Sequence, residues 1–209
     1  MNLDRDGYDS KVLRFAARLL VDNECDKQRR FVLSYFMSDD TILVNVLPES
    51  NAGMAPGKFI ERSKAKKPDK FQSVDPSVPT DFYSGQDLYV GSIISINSHR
   101  FLLTAADEYV FDFMERREHV EQFPHSNHRV ILDKIVARAG EHFKAMMARL
   151  MRDDPTDSGE LIETIFRAVL DQFIGYDLSE HEIHTLVRNS QISTHTTKNG
   201  VPGLFLSPR

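Results

Sequence analysis

Residues 30–46 limit the fold more than any other stretch of the chain. Phe31, Leu33, Tyr35 and Met37 share one parity, and Val32 and Phe36 fall on the other. After Ser38-Asp39-Asp40, Ile42, Val44 and Val46 alternate with Thr41, Leu43 and Asn45. Period-two patterning of β-branched and aromatic residues on both sides of a short polar turn predicts an antiparallel hairpin. The two aspartates suit the turn, because their carboxylates can accept from backbone N–H groups nearby.

The surrounding sequence extends this β character. Residues 11–21 fit a strand through Val12, Leu13, Phe15, Leu19 and Leu20, and also fit a helix through Ala16 and Ala17. Residues 48–53 form a turn-rich loop, 57–62 a short strand, and 63–79 a polar loop rich in Lys and Pro. Residues 87–90 and 92–97 read as extended, Ser98 as a turn and 99–104 as a partner strand. Residues 109–115 suit a last strand or a short helix.

Beyond residue 128 the period changes. Leu132, Ile135, Val136, Ala139, Phe143, Met146, Met147 and Leu150 recur at helical spacing, and so do Leu161, Ile162, Ile165, Phe166, Val169, Leu170 and Phe173. Asp157 precedes Glu160 by three and Ser179 precedes Glu182 by three, which resembles the capping box of a helix start. Three helices are therefore predicted near 128–152, 158–174 and 179–189, with an irregular tail over 190–209.

Composition narrows the class. The 209 residues carry a formal charge of −5, which argues against a dedicated nucleic-acid binder. Cys25 is the single cysteine, so no intramolecular disulfide forms and a reducing compartment fits best. No apolar run reaches the roughly 20 residues of a membrane span, and the N-terminus lacks the apolar centre of a signal peptide. A soluble intracellular protein is the expectation.

The wording of the first 118 residues resembles the DM-ten domain, a module of EF-hand-containing proteins in ciliary and flagellar microtubules. The resemblance runs through Arg30, Phe31, Leu33, Tyr35, Phe36, Asp39, Asp40, Thr41 and Ile42. It continues through Pro48, Asn51 and Gly53 to Gly57, Lys58, Phe59, Ile60 and Arg62. Later it takes in Leu88, Val90, Gly91, Phe101, Leu103, Ala106, Asp107, Glu108, Tyr109, Met114 and Glu115. It implies an α+β fold: a pleckstrin-homology-like antiparallel β-barrel over 1–118, then an EF-hand-like helical region over 128–189 and the tail 190–209. It also implies a structural, non-enzymatic role inside axonemal doublet microtubules, with tubulin and other axonemal proteins as partners and no cofactor. The rival expectation is a cytosolic adaptor whose barrel binds lipid or peptide.

The residues refine these implications. A working calcium loop needs oxygen ligands at positions 1, 3 and 5, Gly at 6 and Glu at 12. Frames starting at Asp153, Asp171 and Asp177 all fail, since they place Pro155, Phe173 or Arg188 at ligand positions. Calcium is therefore not expected. Lys58, Arg62, Lys64, Lys66, Lys67 and Lys70 form the main basic cluster, read either as a solvated loop guarding an edge strand or as a contact for an acidic partner such as tubulin. The pairs Asp39-Asp40 and Asp107-Glu108 suit turn and cap roles better than acid–base catalysis. His125 with His128, and His181 with His184, stand at i, i+3 but lack the further ligands of a zinc site. No phosphate-binding loop or nucleophile elbow is present. The methionines around Phe143 are expected to pack against the next helix, with a partner groove as the alternative.

Overall fold

The computed structural model describes residues 11–21, 23–27, 29–48, 57–68, 82–153, 160–175, 177–189 and 203–205, with backbone alone at 24, 25, 160–162 and 203–205. Asn51, Gly53, Lys70, Asp157 and the Cys25 side chain lie outside the described set. The chain divides into two compact units, Met1–Arg116 and Arg117–Arg209.

The first unit contains β1 (Val12–Leu19), the short α1 (Glu24–Lys27), β2 (Arg30–Phe36), β3 (Thr41–Val46), β4 (Gly57–Ser63), β5 (Ile93–Ile96), β6 (His99–Ala106) and α2 (Glu108–Met114). Six strands form one antiparallel sheet in the order β4-β3-β2-β1-β6-β5. Period-two alternation turns Leu13, Phe15, Phe31, Leu33, Tyr35, Ile42, Val44, Phe101 and Leu103 to one buried face. Residues 11–21 resolve as strand. Residues 109–115 resolve as helix, where Val110, Phe111, Phe113 and Met114 are all buried.

The sheet curls strongly. Strands β4 and β6 are four steps apart, about 19 Å in a flat sheet. Yet the Phe59 ring of β4 lies 5.0 Å from the His99 ring and 6.1 Å from the Phe101 ring of β6. Register shifts at Ala16/Ala17 in β1 and around Val44 in β3 supply the local bending. The result is an α+β unit built on a curled antiparallel half-barrel, as the resemblance implies. Elsewhere along its open seam a short segment crosses over. Lys66 bridges to Phe82, Tyr83 N–H donates to the Ala65 carbonyl at 2.9 Å, and Ser95 N–H donates to the Tyr83 hydroxyl at 3.0 Å. The β5–β6 turn places Asn97 at φ 48° and Ser98 at φ 67°, the double left-handed geometry of a two-residue hairpin.

The second unit contains α3 (His128–Ala139), α4 (Phe143–Asp153), β7 (Glu160–Ile162), α5 (Glu163–Ile174), α6 (Glu180–Asn189) and β8 (Gly203–Phe205). Ile131, Ile135, Ala139, Met146, Leu150, Phe166, Val169, Leu170 and Leu186 make its core. Asn127 caps α3, its side chain accepting from the N–H groups of Arg129 and Val130.

Four details differ from the sequence reading. The helix expected over 128–152 breaks at Gly140, whose φ of 48° an ordinary helical residue does not adopt. The buried stripe of α3 runs Ile131, Ile135, Ala139, leaving Leu132 and Val136 exposed on the neighbouring flank. Met151 is 68% exposed, whereas Met146 is buried and Met147 partly so. The helix expected from 158 starts at Glu163, because residues 160–162 pair as a strand with 203–205 inside the stretch expected to be irregular.

Candidate functional site

The residues carrying the family resemblance converge on the tip of the β2–β3 hairpin. Asp39 Oδ1 accepts from the Thr41 backbone N–H at 3.2 Å and from the Thr41 hydroxyl. Arg62 reaches across from β4, donating from Nε to Thr41 Oγ1 at 2.7 Å and from a terminal nitrogen to Asp39 Oδ2 at 2.7 Å. Its guanidinium lies 3.7 Å from the Phe36 ring centroid. The Tyr35 hydroxyl donates to Asp40, which adopts φ 56° in the turn. Six residues, from the ends of three strands and the turn between two of them, thus make up the tip, and two chemical properties follow. Burial, reinforced by the Asp40 carboxylate, pushes the Tyr35 phenol well above its ordinary pKa, so it acts as a donor and not as a base. Burial alone would raise Asp39, but hydrogen bonds from Thr41 and Arg62 outweigh it and hold the carboxyl below its usual range.

The barrel loop continues this polar lattice. Asp87 accepts from the Ser84 N–H at 2.8 Å, from the Ser84 hydroxyl at 3.0 Å and from Lys67 at 2.8 Å. The basic cluster is therefore not a uniform positive surface. Lys58 pairs with Glu61 at 3.2 Å, Arg62 with Asp39 and Lys67 with Asp87. Lys66 lies 5.9 Å from the Phe82 ring and Lys64 is exposed.

The remaining motif residues serve the backbone. Gly91 takes φ 98°, and its N–H donates to the Leu103 carbonyl at 2.8 Å. Gly57 opens β4, and Arg30 opens β2 on the exposed face. The Phe59, Phe31 and Phe101 rings pack edge to face. Asp107 stands at the N-cap of α2, where its backbone carbonyl, and not its carboxylate, accepts from Val110; Glu108 occupies the first turn.

The second unit holds a polar cluster that the sequence signalled only as a capping box and paired histidines. Glu182 N–H donates to Ser179 Oγ at 3.2 Å, and Ser179 N–H donates to Glu182 Oε2 at 2.7 Å, a complete capping box. The same buried carboxylate accepts two contacts from Lys134, at 3.0 and 3.1 Å, and lies 3.3 Å from His125 Nδ1. Burial works to raise Glu182, but the groups around it pull it down to about 2. His181 Nε2 sits 2.7 Å from the Ser126 hydroxyl, and burial, with His125 and His184 nearby, lowers it to about 4. Burial also lowers His128. Among the described residues, no group of three or more His, Cys, Asp or Glu is arranged to hold a metal ion.

One loop frame escaped the sequence reading. Counted from Asp154, Thr156, Ser158 and Gly159 fall at positions 3, 5 and 6, and position 8, Leu161, falls in β7. Position 12, a bidentate Glu in a calcium loop, is Ile165, which packs against the helical core. Residues 154–159 lie outside the described set.

Comparison with known proteins fits this architecture. The chain is 38% identical over 188 residues to the EF-hand domain-containing family member C2 of Danio rerio, covering 90% of this chain and 24% of that protein. It is 32% identical over 189 residues to the namesake of Gallus gallus, covering 90% of this chain and 25% of that protein. EF-hand domain-containing protein 1 of Homo sapiens is 40% identical over 107 residues, 51% of this chain and 16% of the relative. The chain thus spans about a quarter of the length of the member C2 relatives. The DM10 domain model matches residues 5–110, the stretch that contains the half-barrel and its hairpin-tip lattice, and the chain belongs to the DM10 domain family.

Proposed function

We propose that the chain is a structural, non-enzymatic component of ciliary or flagellar doublet microtubules, binding tubulin and neighbouring proteins on the lumenal side. The observation that carries this reading is how the motif side chains are employed. Tyr35, Asp39, Asp40, Thr41 and Arg62 bond one another and fix the hairpin tip. Polar groups committed to mutual contacts build a rigid surface for docking. A general acid or base instead needs a free group poised near the working pH. Lattice placement would supply affinity through repetition, not through one deep pocket.

Fractionation of tagged chain from ciliated cells tests this reading. Retention with doublets through detergent and high salt, with release only when the tubules are disrupted, is the expected result. Release into the detergent-soluble fraction would overturn it in favour of a cytosolic adaptor.

A further inference from the structure

The inner face of α6 is polar, which sets this helix apart within its unit. The buried residues of α3 are Ile131, Ile135 and Ala139, those of α4 are Met146 and Leu150, and those of α5 are Phe166, Val169 and Leu170. On α6 they are His181, Glu182, Ile183, Thr185 and Leu186. Of that set, only Leu186 joins the apolar core of the unit. A helix held largely by buried polar contacts depends on the protonation state of the groups that make them.

This polar face docks on the single 3-10 turn Pro124–Ser126 and on α3. His181 is fully buried, and the Ser126 hydroxyl beside its Nε2 is buried as well. The Thr185 hydroxyl donates to the His125 carbonyl at 3.4 Å. Glu182 accepts from Lys134 of α3 and stands 3.3 Å from His125 Nδ1.

A proton on His181 finds little compensation here. Burial penalises the charged ring, and His125 and His184 add like charge when they are themselves protonated. Glu182 is the neighbouring anion that favours the charge. Its oxygens are already engaged by Lys134, His125 and the Ser179 N–H. Nor do the other packed elements bring a free carboxylate. Arg167 of α5 pairs with Glu163 and Glu180, Arg138 of α3 pairs with Asp177, and His128 at the start of α3 is basic.

We infer that α6 is a proton-operated latch: when His181 takes up a proton, α6 leaves the 124–126 turn and α3, while α3, α4 and α5 stay packed on their apolar core. Release lets water solvate the imidazolium, and that solvation drives the step. It also bares Ile183 and Leu186, an apolar pair that the docked helix hides.

Hydrogen exchange of the full chain, compared at pH 7 and pH 5 after correction for intrinsic chemistry, tests the latch. Protection in α6 should fall about twentyfold, the ratio set by an imidazole that titrates near 6.5 when released and about 4 when docked. Protection in α4 and α5 should hold. In H181Q the α6 response should vanish, and in H184Q it should persist. The His181 ring resonance of wild type guards against a variant that fails to fold, since in the docked chain it should titrate far below a free histidine. Equal loss of protection across all four helices would overturn the inference, by making acid a global destabiliser of the unit. So would an α6 that keeps its protection at pH 5, an H181Q chain that responds like wild type, or a His181 ring that titrates as a free one.

Discussion

His181 makes the helical unit sensitive to mild acid. Its ring is fully buried in α6 beside the Ser126 hydroxyl, and its pKa falls from 6.5 to about 4. At pH 7 the folded histidine is neutral and the unfolded one about three-quarters neutral, so the cost is small. As pH falls through 6.5 the unfolded chain takes up a proton that the folded unit refuses, and the balance shifts toward unfolding. At pH 5 the unfolded imidazole is almost wholly charged and the folded one about one-tenth so. Between pH 7 and pH 5 this difference integrates to about 2 kcal/mol, rising to about 3 kcal/mol below pH 4. Glu182 adds little in that window, because a carboxyl lowered from 4.5 to about 2 contributes stability that is lost only below pH 4.5. Urea unfolding of the full chain, followed at 222 nm where helices dominate, reads the effect. His181→Gln retains His125, His128, His184, Lys134 and Glu182, so subtracting its pH dependence from that of wild type isolates one ring. The expected difference is about 2 kcal/mol. Wild type and variant losing equal stability between pH 7 and pH 5 would refute this reasoning, and would mean that water reaches the imidazole.

Four other outcomes are expected. Tyr35→Phe removes the donor to Asp40 and should lower stability by about 1 kcal/mol, read from thermal unfolding. Phe59→Ala removes the ring that joins β4 to β6 and should cost about 2–3 kcal/mol, with faster amide exchange in β4 than in β1. Glu182→Ala takes the partner from Lys134 and the cap from Ser179 and should cost about 2–3 kcal/mol at pH 7 by urea unfolding. Gly175→Ala meets open space but a φ of 70°, so about 1 kcal/mol of backbone strain alone should appear in the unfolding midpoint.

Much of the half-barrel was legible because each strand has one wet face. Alternation in 30–46 fixed both the hairpin and its buried residues, since a one-residue slip would expose Phe31, Leu33 and Tyr35 together. Curl was not legible. It depends on bulges at Ala16/Ala17 and near Val44, where nothing in local composition marks an extra residue. In the helical unit, spacing found helices but not their rotation. Ile131 and Leu132 are equally apolar neighbours, and only tertiary packing decides that the first faces inward. The start of α5 was misplaced for a related reason: residues 160–162 satisfy their backbone by pairing with 203–205, a partner about forty positions away that no local pattern announces.

The candidate surfaces show the same limit in electrostatic form. A run such as Lys64, Lys66 and Lys67 is conspicuous because its charges are neighbours in sequence. Folding then brings Asp39, Glu61 and Asp87 to the cations of that region, and much of its field is cancelled at short range. Arg18, Arg30 and Arg100 are far apart in sequence and conspicuous only in register, where antiparallel pairing sets two of them opposite and the third on the diagonal. Coulomb energy depends on distance in space, so the reading of charge runs overweights the loop and underweights the sheet. Lys64→Glu, at an exposed position just past β4, should leave stability within about 0.5 kcal/mol in thermal unfolding, because no charge paired with Lys64 is found among the described residues.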